Sequence, residues 1–490
     1  MPDTAIVPDL RAARSCDPAE SNAGDPREPL AVTRCFADFL ARTSFGDVPP
    51  HVIADTKRAV LDWFGSAMAG ALEPPAQMAR AVVAGFGTAD EATVFPDTRA
   101  WAAGAALANG VASHILELDD VHKGSTLHGA APIIPAALAV AERERSDGRS
   151  FLLAVALGYE AALRIGEAVN PSHYRFWHPT GTAATFGAAA AAGSLLRLDA
   201  TRTLDAMGTA GTQASGLWEF NADGAMSKHL HPGKAAFNGV LAADLAGQGF
   251  TGATRILEGE RGFFRATSAA HDATRVTDGL GERWKVSENC YKLHSCCGHT
   301  HTAIDTALDL RARLGWAGGE VLDQVREIRI STYGPGYEIV REPNPRTPYQ
   351  AKFSLAYVVA AALLEGQVGL EQFADDRFTP DGVAEAGIAA LLPRILIDVD
   401  PALTVRYPEA WPARLRLVLA DGRIIEASAD YPRGNPENPV PLETLEAKAQ
   451  GLIAPRYGDD LAQRVIEAVR GLEQVPDLAA LMRTLIWPEA

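Results

Sequence analysis

No apolar run in the 490 residues reaches the roughly 18 to 20 that a membrane-spanning helix needs. The opening segment "MPDTAIVPDLRAARSCDPAESNAGDPREP" lacks the apolar core of a secretion signal and reads as a flexible leader over residues 1–29. Positive charge is also short: 45 Lys and Arg face 61 Asp and Glu, a net charge of −16. That balance argues against nucleic acid and anionic membrane as partners, since both require a concentrated basic surface. It leaves room for a small anionic substrate, because a local pocket can oppose the global charge. Cysteine is scarce, with Cys16, Cys35, Cys290, Cys296 and Cys297 forming no paired framework. Two of these are adjacent, which suits reduced thiols and a cytoplasmic location. C-x-x-C, H-E-x-x-H and a Gly-rich phosphate loop are all missing, and "GTAGTQASG" lacks the preceding strand of a dinucleotide fold. Neither a metal nor an organic cofactor is expected.

From about residue 30 to 280 the chain reads as helix after helix, including "HVIADTKRAVLDWFGSAMAGA", "FLLAVALGYEAALRIGEAV" and "GKAAFNGVLAADLAGQG". Apolar residues recur there at three- and four-residue spacing, and Ala and Gly on nearly every face imply close packing in a bundle. Beyond about residue 280 the texture changes. "QVREIRISTY" and "RILIDVD" alternate as strands do, and "RLRLVLADGRIIEASAD" is two such runs joined by Ala420-Asp421-Gly422, a hairpin signal. With the helical "KFSLAYVVAAALLEGQVGLEQF" between them, residues 281–434 read as a smaller α+β module. Residues 435–490 turn helical again and are expected to return to the first bundle.

Titratable residues concentrate in four windows. "ELDDVHKGSTLH" holds Glu117, Asp119, Asp120, His122, Lys123 and His128; "FWHPTGT" holds His178; "MSKHLHPGKAA" holds Lys228, His229, His231 and Lys234; "NCYKLHSCCGHTH" holds Lys292, His294, Cys296, Cys297, His299 and His301. Eight of the 12 histidines fall in these windows, so they are read together and not as separate helix caps. Vicinal cysteines cannot both easily reach one tetrahedral ion, which disfavours a metal at Cys296-Cys297 and His299-x-His301. A nucleophilic Cys297 before the helix "HTAIDTALDL" is the next reading, and it rests on a weak motif. Acid/base chemistry without a cofactor fits better: buried His and Lys bind carboxylates and titrate near neutrality, so they can move protons on carbon beside a carboxylate.

In the windows "ELDDVHKGSTLHGAAPIIPAALAVAE", "FWHPTGTAATFGAAAAAG", "GTQASGLWEFNADGAMSKHLHPGKAAFNG", "YKLHSCCGHTHTAID" and "AKFSLAYVVAAALLEG" the chain resembles the MmgE/PrpD family. The resemblance implies a mainly α fold, in which a large helical domain built from both ends of the chain carries an inserted α+β lid. It further implies a homodimer, an active site between the domains, and no metal or organic cofactor. Carried over by position, it points to His128, Lys228 and Asp120 as catalytic, and to His178, Lys292, Cys297 and Tyr337 as substrate-binding, with Tyr333 the alternative to Tyr337. His128 and Lys228 would do the proton work, with Asp120 orienting His128. Family members run several reactions on one scaffold. The expected activity is a lyase acting at the carbon alpha to a carboxylate of a small di- or tricarboxylate, first a 2-methylcitrate-type dehydratase. Alternatives are an iminodisuccinate-type epimerase, a cis-aconitate-type decarboxylase, and a helical binding scaffold without catalysis. Animal decarboxylases of the family align an aspartate with Glu117, a threonine with Val121 and a histidine with Cys297, whereas fungal ones share "ELDD" and "CCG".

Overall fold

A computed structural model of the chain describes residues 31–486; the leader expected over residues 1–29 lies outside the described residues. The fold is mainly α with a small sheet domain. No helix among the described residues is long and apolar enough to cross a membrane.

Buried side chains form two main cores. The larger gathers residues between Val32 and Tyr291 and again between Val440 and Leu485. Helices Ala102–His114, Ala130–Arg143, Gly148–Val169 and Ala183–Leu195 are buried along nearly their whole length, as their Ala- and Gly-rich faces require. The late helix Leu442–Tyr457 is fastened to Pro50–Gly70 by Tyr457, which donates to the Met68 carbonyl at 2.7 Å. Lys448 on the same helix donates at 2.6 Å to both Asp62 and the Leu118 carbonyl, so the chain's last third anchors the acidic loop near residue 118.

The second core runs from Cys296 to Leu419 and lies beneath a four-stranded sheet. The spatial order is Ile395–Val399, Val325–Thr332, Ala413–Leu419, Ile424–Ala429. Only the first pair is parallel, with Ile330 opposite Ile397 on one side and Leu415 on the other. Gly422, at φ +88°, supplies the left-handed turn residue of the final hairpin. Helices His301–Leu314 and Leu355–Glu365 bury their apolar residues in this core.

Cys290, Cys296 and Cys297 are buried free thiols.

Candidate active site

Helices Ala102–His114 and Ser227–Gly247 meet backbone to backbone. A Cβ on Gly110 would lie 2.7 Å from the Gly233 Cα, and one on Gly233 would lie 2.6 Å from the Leu107 carbonyl oxygen, so neither position admits a larger residue. The crossing brings His114 to within 6.4 Å of His229, centroid to centroid, one residue beyond Lys228. After His114 the chain leaves the helix as a buried loop. It enters at Glu117 (φ +57°) and approaches its end at Thr126 (φ +49°), both in the left-handed region that non-glycine residues seldom adopt. Backbone pairing of Val121 with Cys290 ties this loop to the segment carrying Lys292.

Histidines from three elements converge here. The rings of His114 and His128 are 4.7 Å apart, those of His114 and His178 are 5.6 Å apart, and those of His128 and His178 are 6.3 Å apart. Asp119 holds two of them: its Oδ2 accepts from His114 Nδ1 at 2.6 Å and stands 3.3 Å from His128 Nδ1. Burial alone would raise the Asp119 pKa, but His114, His128 and Lys292 together hold it below the usual carboxylate range. His128 Nδ1 also lies 2.6 Å from the Asp120 backbone carbonyl. Carbonyl and carboxylate oxygens only accept, so Nδ1 carries the proton. Burial lowers the His128 pKa well below its ordinary value, so the ring is neutral and Nε2 keeps its lone pair. On the far side His178 Nδ1 meets His231 Nδ1 at 3.0 Å, and burial depresses both rings, that of His231 to about 4.

A second group of charges borders the first. Glu117 forms an ion pair with Lys228, and its other carboxylate oxygen lies 3.3 Å from Lys292 Nζ; all three side chains are buried. Burial would raise the pKa of Glu117, yet the two ammoniums hold it well below its usual range. Lys292 is lowered by burial but raised more by Glu117 and Asp119, and so remains charged. Lys228 Nζ also sits 4.8 Å above the Phe353 ring.

From the sheet domain come Cys297, His299, Tyr333, Tyr349 and Lys352. Burial pushes the Cys297 thiol up to about 11, with Glu117 adding to the rise, which opposes a nucleophilic role. Lys352 donates to the Leu116 carbonyl at 3.0 Å and is pushed down to about 8 by burial. Tyr349 places its hydroxyl in the interior with no hydrogen-bond partner among the described residues, within electrostatic range of Glu117 and Cys297.

Of the residues expected from the sequence, His128, His178, Lys228 and Lys292 therefore lie in one cluster, with Cys297 at its edge. Two expectations are corrected in geometry. The Asp120 side chain does not orient His128: its carboxylate accepts from Tyr159 at 2.5 Å, Asn289 at 2.6 Å and the Ala130 amide at 3.0 Å. Asp119 holds His128 instead, with the Asp120 carbonyl. Tyr337 is half-buried, and it is Tyr333 that is fully buried beside the cluster, 2.6 Å from His299 Nδ1 and stacked on Tyr407. His122 turns away to Ser125 and Glu288, and Lys123 pairs with Glu437. His294 bonds to Asp305 at 3.0 Å, so it supports the fold. Sequence reasoning passed over His114, whose Ala-rich surroundings read as plain buried helix. A lone histidine closing such a helix, just before an acid-rich loop, was the available signal.

Family models for the MmgE/PrpD N-terminal domain and the MmgE/PrpD C-terminal domain match residues 34–275 and 294–474. The chain belongs to the MmgE/PrpD family. It is 26% identical to cis-aconitate decarboxylase of Aspergillus terreus over 95% of this chain and 98% of the relative. It is 27% identical to the Homo sapiens cis-aconitate decarboxylase over 94% of this chain and 95% of the relative. A 2-methylcitrate dehydratase-like protein of Aspergillus oryzae is 22% identical over 38% of each chain.

Proposed function

We propose that this MmgE/PrpD protein is a lyase acting at the carbon beside a carboxylate of a small tri- or dicarboxylate, with decarboxylation of a cis-aconitate-like substrate as its reaction. The observation that carries the reading is the juxtaposition of two charged lysines, Lys228 and Lys292, with a neutral His128 whose Nδ1 is tied to Asp119 and the Asp120 carbonyl. Lysines hold substrate carboxylates, and an imidazole of fixed tautomer moves a proton. In the decarboxylation, the C–C bond to one carboxylate breaks and CO₂ leaves. The electron pair of that bond forms a new double bond to the neighbouring alkene carbon, and the old π pair moves to the far alkene carbon. That carbon takes a proton from His128 Nε2, loaded from solvent once the anionic substrate beside it favours the charged ring. Lys228, first read as a proton carrier, is assigned with Lys292 to holding carboxylates, and the proton falls to the His114, His128 and His178 group.

Dehydration of a 2-methylcitrate-type substrate, the first expectation from the sequence, becomes the second reading. The dehydratase-like relative matches over 38% of this chain, whereas the decarboxylases match nearly end to end. In that reaction His128 Nε2 takes the α-proton and a second group protonates the departing hydroxyl.

Purified protein incubated with cis-aconitate, 2-methylcitrate, citrate and iminodisuccinate in deuterated water, followed by proton NMR, tests the proposal. CO₂ loss from cis-aconitate with one deuterium entering the product is the expected outcome. Water loss or gain instead indicates a dehydratase, and α-deuteration without net change an epimerase. Absence of reaction with all four overturns the citrate-like assignment.

A further inference from the structure

The three rings that carry the proposed proton chemistry also have the geometry of a metal site. We propose that His114, His128 and His178 bind a divalent d-block cation such as zinc, and that this binding blocks the acid/base function of the same rings. One ligand nitrogen from each histidine falls in a group whose members all lie within 4.8 Å of one another. In a tetrahedral zinc site, Zn–N distances of about 2.0–2.1 Å place imidazole centroids roughly 5 Å apart. The observed spacings of 4.7, 5.6 and 6.3 Å bracket that value. Closing on an ion requires the widest pair, His128 and His178 at 6.3 Å, to approach by about 1 Å.

The outer contacts are those that orient metal-binding imidazoles. His114 Nδ1 donates to the Asp119 carboxylate and His128 Nδ1 to the Asp120 carbonyl, so both rings are left with Nε2 as the ligand atom. His114 Nε2 is buried without a hydrogen-bond partner among the described residues, a polar atom of the interior that a ligand would satisfy. Local charge does not forbid a dication: the ammoniums of Lys228 and Lys292 are opposed by Glu117 and Asp119. Three protein ligands leave a fourth position for water or a substrate carboxylate. A bound ion occupies the His128 lone pair that must pick up and carry the proton in the lyase reading, so the ion inhibits and is not a cofactor. Only this second clause rests on the proposed function; the binding clause does not.

Two measurements separate the clauses. Cobalt(II) titrated into the EDTA-treated full chain should give visible d–d absorption that saturates at one ion per chain and is displaced by zinc. His178→Ala and Asp119→Asn should each weaken cobalt binding at least about tenfold, as ligand and outer-contact losses do. Absence of the band, or a band unchanged in both variants, overturns the site; circular dichroism of each variant confirms that it is folded. Zinc at its saturating concentration should suppress turnover of whichever substrate the NMR assay identifies, and EDTA should restore it. Undiminished turnover with the site loaded overturns the blocking clause while leaving the binding result intact.

Discussion

His114 and Asp119 share a 2.6 Å hydrogen bond with neither side chain open to solvent, and the same carboxylate oxygen stands 3.3 Å from His128. One carboxylate thus sets the orientation of two imidazoles. Asp119→Asn should lower kcat by about 10²-fold or more with little change in KM, because it removes orientation and not substrate contact. Asp120→Asn, whose side chain serves Tyr159, Asn289 and the Ala130 amide, should retain most of the turnover. Steady-state kinetics on both variants checks the contrast, and equal losses would return the orienting role to Asp120.

Burial pushes the Asp120 carboxyl up to about 7, outweighing the hydrogen bonds from Tyr159 and Ala130. The unfolded chain releases that proton near pH 4, at about the ordinary aspartate value. Between roughly pH 4 and 7 the folded state therefore binds more protons, and stability falls as pH rises through that window. Relative to Asp120→Asn, the wild type should lose on the order of 3 kcal/mol from pH 4 to pH 7 in urea unfolding. A difference that moves the other way would mean the three donors favour the ionised form.

Glu117 is the shared counter-charge of Lys228 and Lys292. Glu117→Gln leaves two buried ammoniums facing each other, and should cost about 3–5 kcal/mol of stability. Adding Lys228→Met to that variant should recover part of the loss, since one of the uncompensated charges is then gone. Urea midpoints for the single and double variants decide this.

Burial raises the Cys297 thiol to about 11 and those of Cys290 and Cys296 to about 12. At pH 8 almost none of each is thiolate, so folded protein should leave these three unlabelled by iodoacetamide while denatured protein labels fully. Peptide mapping by mass spectrometry reads the result. Rapid labelling of Cys297 in the folded protein would revive the nucleophile reading.

Tyr333 meets His299 at 2.6 Å, whereas Tyr337 lies a helical turn further along and half-exposed. Tyr333→Phe should reduce kcat/KM by roughly tenfold, about one hydrogen bond to a buried ring. Tyr337→Phe should behave as wild type; the reverse pattern would exchange the two assignments.

The sequence carried the architecture well because its signals were local. Alternation in "QVREIRISTY" and the Asp421-Gly422 turn marked strands and hairpin, and Ala- and Gly-rich faces marked the buried helices. It also brought His128, His178, Lys228 and Lys292 into one site. What it could not deliver was which member of an adjacent pair faces inward. Asp119 and Asp120 differ by one position, yet the left-handed turn at Glu117 and the pairing of Val121 with Cys290 direct one carboxylate to histidines and the other to Tyr159. Tyr333 and Tyr337 were confounded for the same reason, since both lie in "STYGPGYEIV", Tyr333 at the junction between the strand ending at Thr332 and the helix Gly334–Val340, Tyr337 within that helix. His114 was invisible because its role arises from a helix crossing at Gly110 and Gly233, more than a hundred residues apart in the chain.

The bridge made by Glu117 between two lysines has a further consequence for recognition. A carboxylate already occupies the ammonium pair, so an incoming acid that takes those lysines trades one ion pair for another of similar strength. Affinity then reflects the difference between an internal and an external anion, not the full attraction of two buried cations. Such an exchange keeps binding only weakly dependent on ionic strength, and it leaves selection among acids to the shape and spacing of the rest of the molecule.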